Sequence, residues 1–147
     1  MKSKDLISIK DLSISDIEEI FALTEKLKSE GRISKDEPLK GKTLGLIFQK
    51  PSLRTKVSFA AAIAQLGGTS IFLAPEEVKL GEREAIKDVA RTLSRYLDGI
   101  VARTFKHEDI IELAKYSTIP VVNGLSALSP PSQALSDLLT AKEQKGK

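Results

Sequence analysis

Four short apolar runs constrain this chain more than any other feature. They are Thr43-Leu44-Gly45-Leu46-Ile47-Phe48, Ser70-Ile71-Phe72-Leu73, Gly99-Ile100-Val101-Ala102-Arg103 and Pro120-Val121-Val122-Asn123. None alternates apolar with polar residues, as a strand with one wet face does. The stretches between them are patterned as helices. Unalternating strands separated by helices imply a parallel sheet covered on both faces. Right-handed crossovers then make this a doubly wound α/β domain, with four parallel strands and helices on both faces.

The helical stretches have their own punctuation. Ser15-Asp16-Ile17-Glu18 has capping-box spacing and predicts a helix start. Ile17, Ile20, Phe21, Thr24 and Leu27 continue it as a stripe, and Gly31 stops it. The stretch from Gly31 to Lys42 is expected to be a flexible connector. Further helices are expected over 53–66, ended by Gly67-Gly68, and over 84–97, with Ile86, Val89, Ala90, Leu93 and Leu97 on one face. A fourth is expected over 108–116 and a last one from Ser132 onward, while 75–83 is expected to be a charged loop.

At 147 residues the chain suits one domain with a core of its own. It has no cysteine and one histidine, which excludes disulfides, thiolate catalysis and Cys- or multi-His metal sites. No metal or cofactor is expected. The net charge of +3 mildly favours anionic partners. The lysines are spread out and aromatics make up only 5%, so no basic stripe with stacking residues marks a nucleic-acid binder. No apolar run approaches the roughly 18 residues of a membrane span, and Met1 to Lys10 lacks a signal-peptide core. A cytoplasmic location is expected.

In a doubly wound sheet, ligands bind at the carboxyl ends of the strands. After the first strand comes Gln49-Lys50-Pro51-Ser52-Leu53-Arg54-Thr55-Lys56. A tight turn into a helix start presents unpaired backbone N–H groups to an anion. Ser52 and Thr55 add hydroxyls, and Arg54 adds a planar fork suited to phosphate oxygens. The plainer alternative is that Ser52 caps the helix and Arg54 sits in solvent. Arg103 ends the third strand, where a buried charge must face an anion or form a structural ion pair. Beyond the fourth strand, Gln133 falls in a first helical turn, either facing a ligand or lying on the surface.

These segments together resemble the carbamoyltransferases. The family's phosphate loop Ser-x-Arg-Thr-Arg stands here as Ser52-Leu53-Arg54-Thr55-Lys56. Phe48-Gln49-Lys50-Pro51, Val57-Ser58-Phe59, Leu93-Ser94-Arg95-Tyr96, Arg103-Thr104-Phe105 and Val122-Asn123-Gly124-Leu125-Ser126 resemble the ornithine branch. The family's His-Pro-Cys-Gln-Ala-Leu-x-Asp stands as Pro130-Pro131-Ser132-Gln133-Ala134-Leu135-Ser136-Asp137. The resemblance implies that the chain is the carbamoyl-phosphate-binding domain, 1–147, with the ornithine-binding domain absent. It implies that Ser52, Leu53, Arg54 and Thr55 hold the phosphate of carbamoyl phosphate, with Arg103 and Gln133 reaching the carbamoyl group. It also implies carbamoyl transfer to the δ-amine of ornithine, giving citrulline in arginine biosynthesis, with no metal and no covalent intermediate.

The departures weigh on activity. Pro130 replaces the family's histidine and offers no donor to the carbonyl oxygen; one such donor is typically worth roughly 10²–10³-fold in rate. Ser132 stands for cysteine, Lys56 for arginine and Ala60 for glutamate. In the family, the loop over 78–85 reaches the neighbouring subunit's site, with glutamine at Lys79 and often serine or threonine at Ala85. The truncated length reads as an isolated or engineered domain, or a divergent natural fragment. The expectation is binding of phosphate or carbamoyl phosphate with little or no turnover alone. Partners are a homotrimer or a separate ornithine domain, and the alternative is a non-catalytic folding or trimer-forming scaffold. His107 has no place in this chemistry and is expected to be solvated or capping.

Overall fold

The computed structural model describes residues 3–31, 33–128 and 130–146. Four strands, β1 (Thr43–Phe48), β2 (Thr69–Leu73), β3 (Gly99–Arg103) and β4 (Val121–Leu125), form one sheet in the order β2-β1-β3-β4. All neighbours run parallel. Among the described residues the α-helices are α1 (Ile14–Ser29), α2 (Leu53–Gln65), α3 (Pro75–Val78), α4 (Ile86–Leu93), α5 (His107–Tyr116) and α6 (Pro131–Lys145). A short 3-10 turn, Ile9–Asp11, precedes α1.

The sheet is buried on both faces, which is why its strands do not alternate. Ile47, Ile100, Ala102 and Val121 pack into one cluster with Ile86, Val89 and Ala90 of α4 and Ile110 and Leu113 of α5. Their neighbours along the strands, Leu46, Phe48 and Val101, point the other way and meet Phe59 and Ala60 of α2. Ile100, Ile110, Leu113 and Val121 are all 0% exposed. The edge strand β2 departs from this pattern. Ile71 and Phe72, expected to be buried, are 48% and 39% exposed, because β2 has a strand partner on one side only.

Chain order decides where a ligand can sit. From β1 the chain moves out to β2, then returns past β1 to β3 and on to β4. Crossovers leave β1 and β3 in opposite directions, so a crevice opens between their carboxyl ends. A register shift between Ala102 and Arg103, against β4, falls at the same edge. Gly124 lies in that irregularity, and a Cβ there would meet Val101 Cγ1 at 3.0 Å. Such bulges bend a strand and re-aim its last side chains.

Several boundaries differ from the sequence reading. The capping box of α1 is Ser13 with Asp16, not Ser15 with Glu18: Ser13 Oγ accepts the Asp16 N–H, and Asp16 Oδ2 accepts the Ser13 N–H. Both serines have the required spacing, and the Ser13 pair starts the helix two residues earlier. The helix expected over 84–97 shrinks to Ile86–Leu93. Ser94 Oγ donates to the Ala90 carbonyl and accepts the Thr118 N–H, a side-chain alternative that loosens the last turn. The charged loop contains the one-turn helix α3. The connector is pinned, not free: Ser34 N–H donates to the Gln65 carbonyl and Leu39 N–H to the Leu66 carbonyl. Gly67-Gly68 do end α2, in a Schellman motif with Gly67 at φ +88°.

Asp98 ties the two central strands at their starts. Its carboxylate accepts from Lys42 Nζ and from the Thr43 N–H, both at 2.9 Å. These bonds, Lys42 first, hold its pKa below the ordinary value. A carboxyl depressed in the folded state stabilises fully above the usual carboxylate range of about 4, and that stability is lost as pH falls through the lower folded value. Asp98→Asn is expected to be less stable than the wild type near neutrality, with the gap closing in acid. Urea titrations across pH measure it, and a pH-independent gap would refute this account.

Candidate functional site

The crevice between β1 and β3 collects most of the residues that the sequence singled out. Arg103 ends β3 and is half-buried. Its Nη1 donates to Ser52 Oγ at 2.9 Å and, at a longer 3.5 Å, to Thr55 Oγ1. Ser52 and Thr55 flank the first turn of α2, so a strand tip and a helix start meet through one guanidinium. The Nε of Arg103 is buried without a hydrogen-bond partner among the described residues. No carboxylate among them pairs with Arg103 either, which removes the structural ion pair as its explanation.

Ser52 does not cap α2, although it occupies the N-cap position with extended backbone. Its oxygen is turned to Arg103 instead. The first-turn amides of Leu53, Arg54 and Thr55 thus keep their outward donors, and no acidic residue lies in that turn. A helix start carries about half a positive charge, which favours acids there and disfavours bases. This one carries Arg54 and Lys56, next to Lys50 and Arg103. The concentration of positive charge is unfavourable unless an anion joins it.

The remaining cations are placed differently from one another. Arg54 is exposed, as the plainer sequence reading had it, and no ion pair among the described residues holds it. Lys56 Nζ lies 3.2 Å from the centroid of the Phe72 ring, and Lys50 Nζ 4.7 Å from that of Phe105. A cleft of about 480 Å³ opens beside the loop between Ser52, Lys56, Phe72 and Glu76. Leu53 is 80% exposed, so its contribution to the crevice is its backbone.

Gln133 and Lys79 stand outside this group of bonds. Gln133 is in the first turn of α6 as expected, but it is exposed and its Nε2 donates to Asp137 Oδ1 at 2.8 Å. Pro130 takes the N-cap position of α6 and makes no side-chain cap. Lys79 is exposed and caps α3 in the left-handed region at φ 39°, unusual for a residue with a Cβ. The loop around it is anchored by Leu80, only 5% exposed in the α4–α5 cluster.

Two contacts escaped the sequence reading. Gln49 Oε1 accepts the Phe105 N–H at 2.8 Å, joining the loops that follow β1 and β3. His107, expected to be solvated or capping, is half-buried, and its Nδ1 lies 2.7 Å from Ser126 Oγ. Asn123 Nδ2 donates to the same Ser126 oxygen and to the Ile7 carbonyl. Nothing in local sequence signals such pairs, because the partners meet only through the sheet.

Residues 4–143 match the family described as aspartate/ornithine carbamoyltransferase, carbamoyl-P binding domain. The chain belongs to that family. It is 47% identical to an ornithine carbamoyltransferase of Symbiobacterium thermophilum over 99% of this chain and 47% of the relative. It is 50% identical to that of Bacillus subtilis over 98% of this chain and 44% of the relative. Among solved structures, ornithine carbamoyltransferase from Thermus thermophilus superposes with a TM-score of 0.90 at 43% identity, over 97% of this chain and 49% of that one. The Pyrococcus furiosus enzyme does so with a TM-score of 0.90 at 44% identity, over 97% and 46%. The parallel four-stranded α/β fold is therefore that of the carbamoyltransferase structures, and the chain spans about half the length of these relatives.

The two serines provide a direct comparison. Ser13→Ala removes a formed capping box and is expected to cost about 1 kcal/mol. Ser52→Ala removes no cap but takes an acceptor from the Arg103 guanidinium, so its cost is expected to vanish once Arg103 is itself replaced by Ala. Chemical denaturation of Ser13→Ala, and of Ser52→Ala alone and in an Arg103→Ala background, measures these costs; an undiminished Ser52→Ala loss without Arg103 would mean that Ser52 caps α2 in solution.

Proposed function

We propose that this domain binds carbamoyl phosphate through the crevice between β1 and β3. The observation that carries the reading is Arg103: a half-buried guanidinium with hydroxyl partners, an unsatisfied buried Nε and no carboxylate partner among the described residues. Such a charge costs free energy until an anion arrives. In this reading the first-turn amides of α2, with the hydroxyls of Ser52 and Thr55 and the fork of Arg54, hold the phosphate. The backbone of Leu53 supplies one of those amides.

The chemistry follows from where the carbamoyl group then lies. Arg103 reaches both the phosphate and the carbonyl oxygen, and Gln133 turns from Asp137 to the carbamoyl amide. The δ-amine of ornithine attacks the carbonyl carbon, a C–N bond forms, and charge gathers on the carbonyl oxygen beside Arg103. The C–O bond to phosphate breaks, phosphate departs into the cradle that already held it, and the new nitrogen loses a proton. Positioning and charge stabilisation do this work, without a cofactor.

These 147 residues are proposed to bind and not to turn over efficiently by themselves. Pro130 takes the N-cap position of α6 and presents no donor to the carbonyl oxygen. In this reading a separate ornithine-binding domain holds the amine. A homotrimer, with Lys79 of one copy reaching towards the next copy's crevice, fits the exposed, constrained position of that lysine. Sedimentation is expected to show an assembly larger than a monomer, and a clean monomer would remove this part. No described helix is long and apolar enough to cross a membrane, and a cytoplasmic location is part of the proposal.

Titration with carbamoyl phosphate and with inorganic phosphate, followed by amide NMR, tests the binding. Shifts are expected to cluster at residues 52–55 and 103. Arg103→Ala is expected to weaken binding by about 10- to 100-fold, as for hydrogen bonds to a charged group, and raised salt should weaken it further. No shifts at millimolar ligand would defeat the proposal.

A further inference from the structure

The groups assigned to the anion sit on two separate strand tips. Ser52 follows β1 and Arg103 ends β3. Their separation depends on how the two following loops are held together. The Gln49 N–H donates to the Arg103 carbonyl at 2.8 Å, which continues the β1–β3 ladder by one residue, as any backbone except proline can. The Gln49 side chain adds a bond that the ladder does not require. Its Oε1 accepts the Phe105 N–H at 2.8 Å, across 56 positions of sequence. Lys50 adds its ammonium over the ring of the same Phe105.

We propose that Gln49 is a positioning residue for the anion site, its side-chain carbonyl clasping the 103–105 tip to the 49–52 loop and so setting Ser52 against the Arg103 guanidinium. The proposal rests on the anion-binding reading above. Gln49 itself donates nothing to the anion in this role. Its carbonyl satisfies an amide that otherwise turns to water, and it does so from the loop that carries Ser52 into α2. With the clasp closed, the hydroxyl and the guanidinium are held at 2.9 Å before any ligand arrives. With it open, part of the binding free energy goes into ordering the two loops. The requirement is specific: an acceptor oxygen at the reach of glutamine.

Three variants of the 147-residue chain, with inorganic phosphate as the probe, test this. Gln49→Met keeps the length and loses the acceptor. Gln49→Ser is too short to reach, and separates loss of the acceptor from any effect of the thioether. Gln49→Glu keeps an acceptor oxygen. Two quantities are read: hydrogen exchange of the Phe105 amide, and the phosphate Kd well below the unfolding temperature. In Gln49→Met and Gln49→Ser the Phe105 amide is expected to exchange faster. The phosphate Kd is expected to rise by about three- to tenfold, the worth of one hydrogen bond. In Gln49→Glu the Phe105 amide is expected to stay protected, whatever the added charge does to affinity. An unprotected Phe105 amide in the wild type would overturn the proposal. So would a wild-type Kd in variants whose Phe105 amide is freed, and that result would leave the anion site itself standing. Absence of phosphate binding by the wild type would overturn the functional reading and the clasp's purpose with it.

Discussion

The pairing of β1 with β3 at the centre of the sheet is the constraint on which everything else depends. Five residues of each strand are in register, from Leu44 opposite Gly99 to Phe48 opposite Arg103. That register places Arg103 level with the last residue of β1, so its guanidinium reaches the turn into α2. The strand order around this pair places the crossovers on opposite sides of the crevice. A shift by one residue would turn Arg103 to the other face of the sheet, into the packed α4–α5 cluster, where a charge has no place.

The crevice holds its positive charge with little compensation, and that shapes its chemistry. Elsewhere on the described surface, lysines find carboxylates: Lys42 with Asp98, Lys28 with Glu143, Lys142 with Glu25. Around the start of α2 the partners among the described residues are hydroxyls and aromatic rings. Hydroxyls and rings stabilise a cation without neutralising it. In the proposed reading the site therefore keeps its attraction for an anion. The polar set at His107, Ser126, Asn123 and Ile7 steadies the neighbouring strand tip, and it links the chain's first segment to the segment leading into α6.

Legibility in the sequence differed from element to element for identifiable reasons. The central strands were legible because burial on both faces leaves an uninterrupted apolar run, and β1 and β3 have the bounds expected of them. The start of α1 was misplaced because two overlapping serine-to-acid spacings obey the same rule, and only backbone geometry chooses between them. The end of α4 was misplaced because Ser94 bonds to Thr118, a partner from a distant loop. The half-exposed faces of Ile71 and Phe72 were not legible, since an edge strand and a central strand are written in the same residues.

For the site, the sequence by itself determined which chemical groups are present: a serine–arginine–threonine turn at a helix start, an arginine at a strand end, and no thiol or histidine cluster to offer another chemistry. Spacing along the chain also determined that these groups lie at strand ends, because local periodicity is set by short-range sterics and burial. Only the tertiary structure decided that Arg103 bonds Ser52 and Thr55 and pairs with no carboxylate among the described residues. Only it decided that Ser52 leaves α2 uncapped, that Gln133 turns to Asp137, and that Gln49 joins two loops. Those choices depend on strand order and register, which emerge from packing the whole sheet, and no short segment contains them.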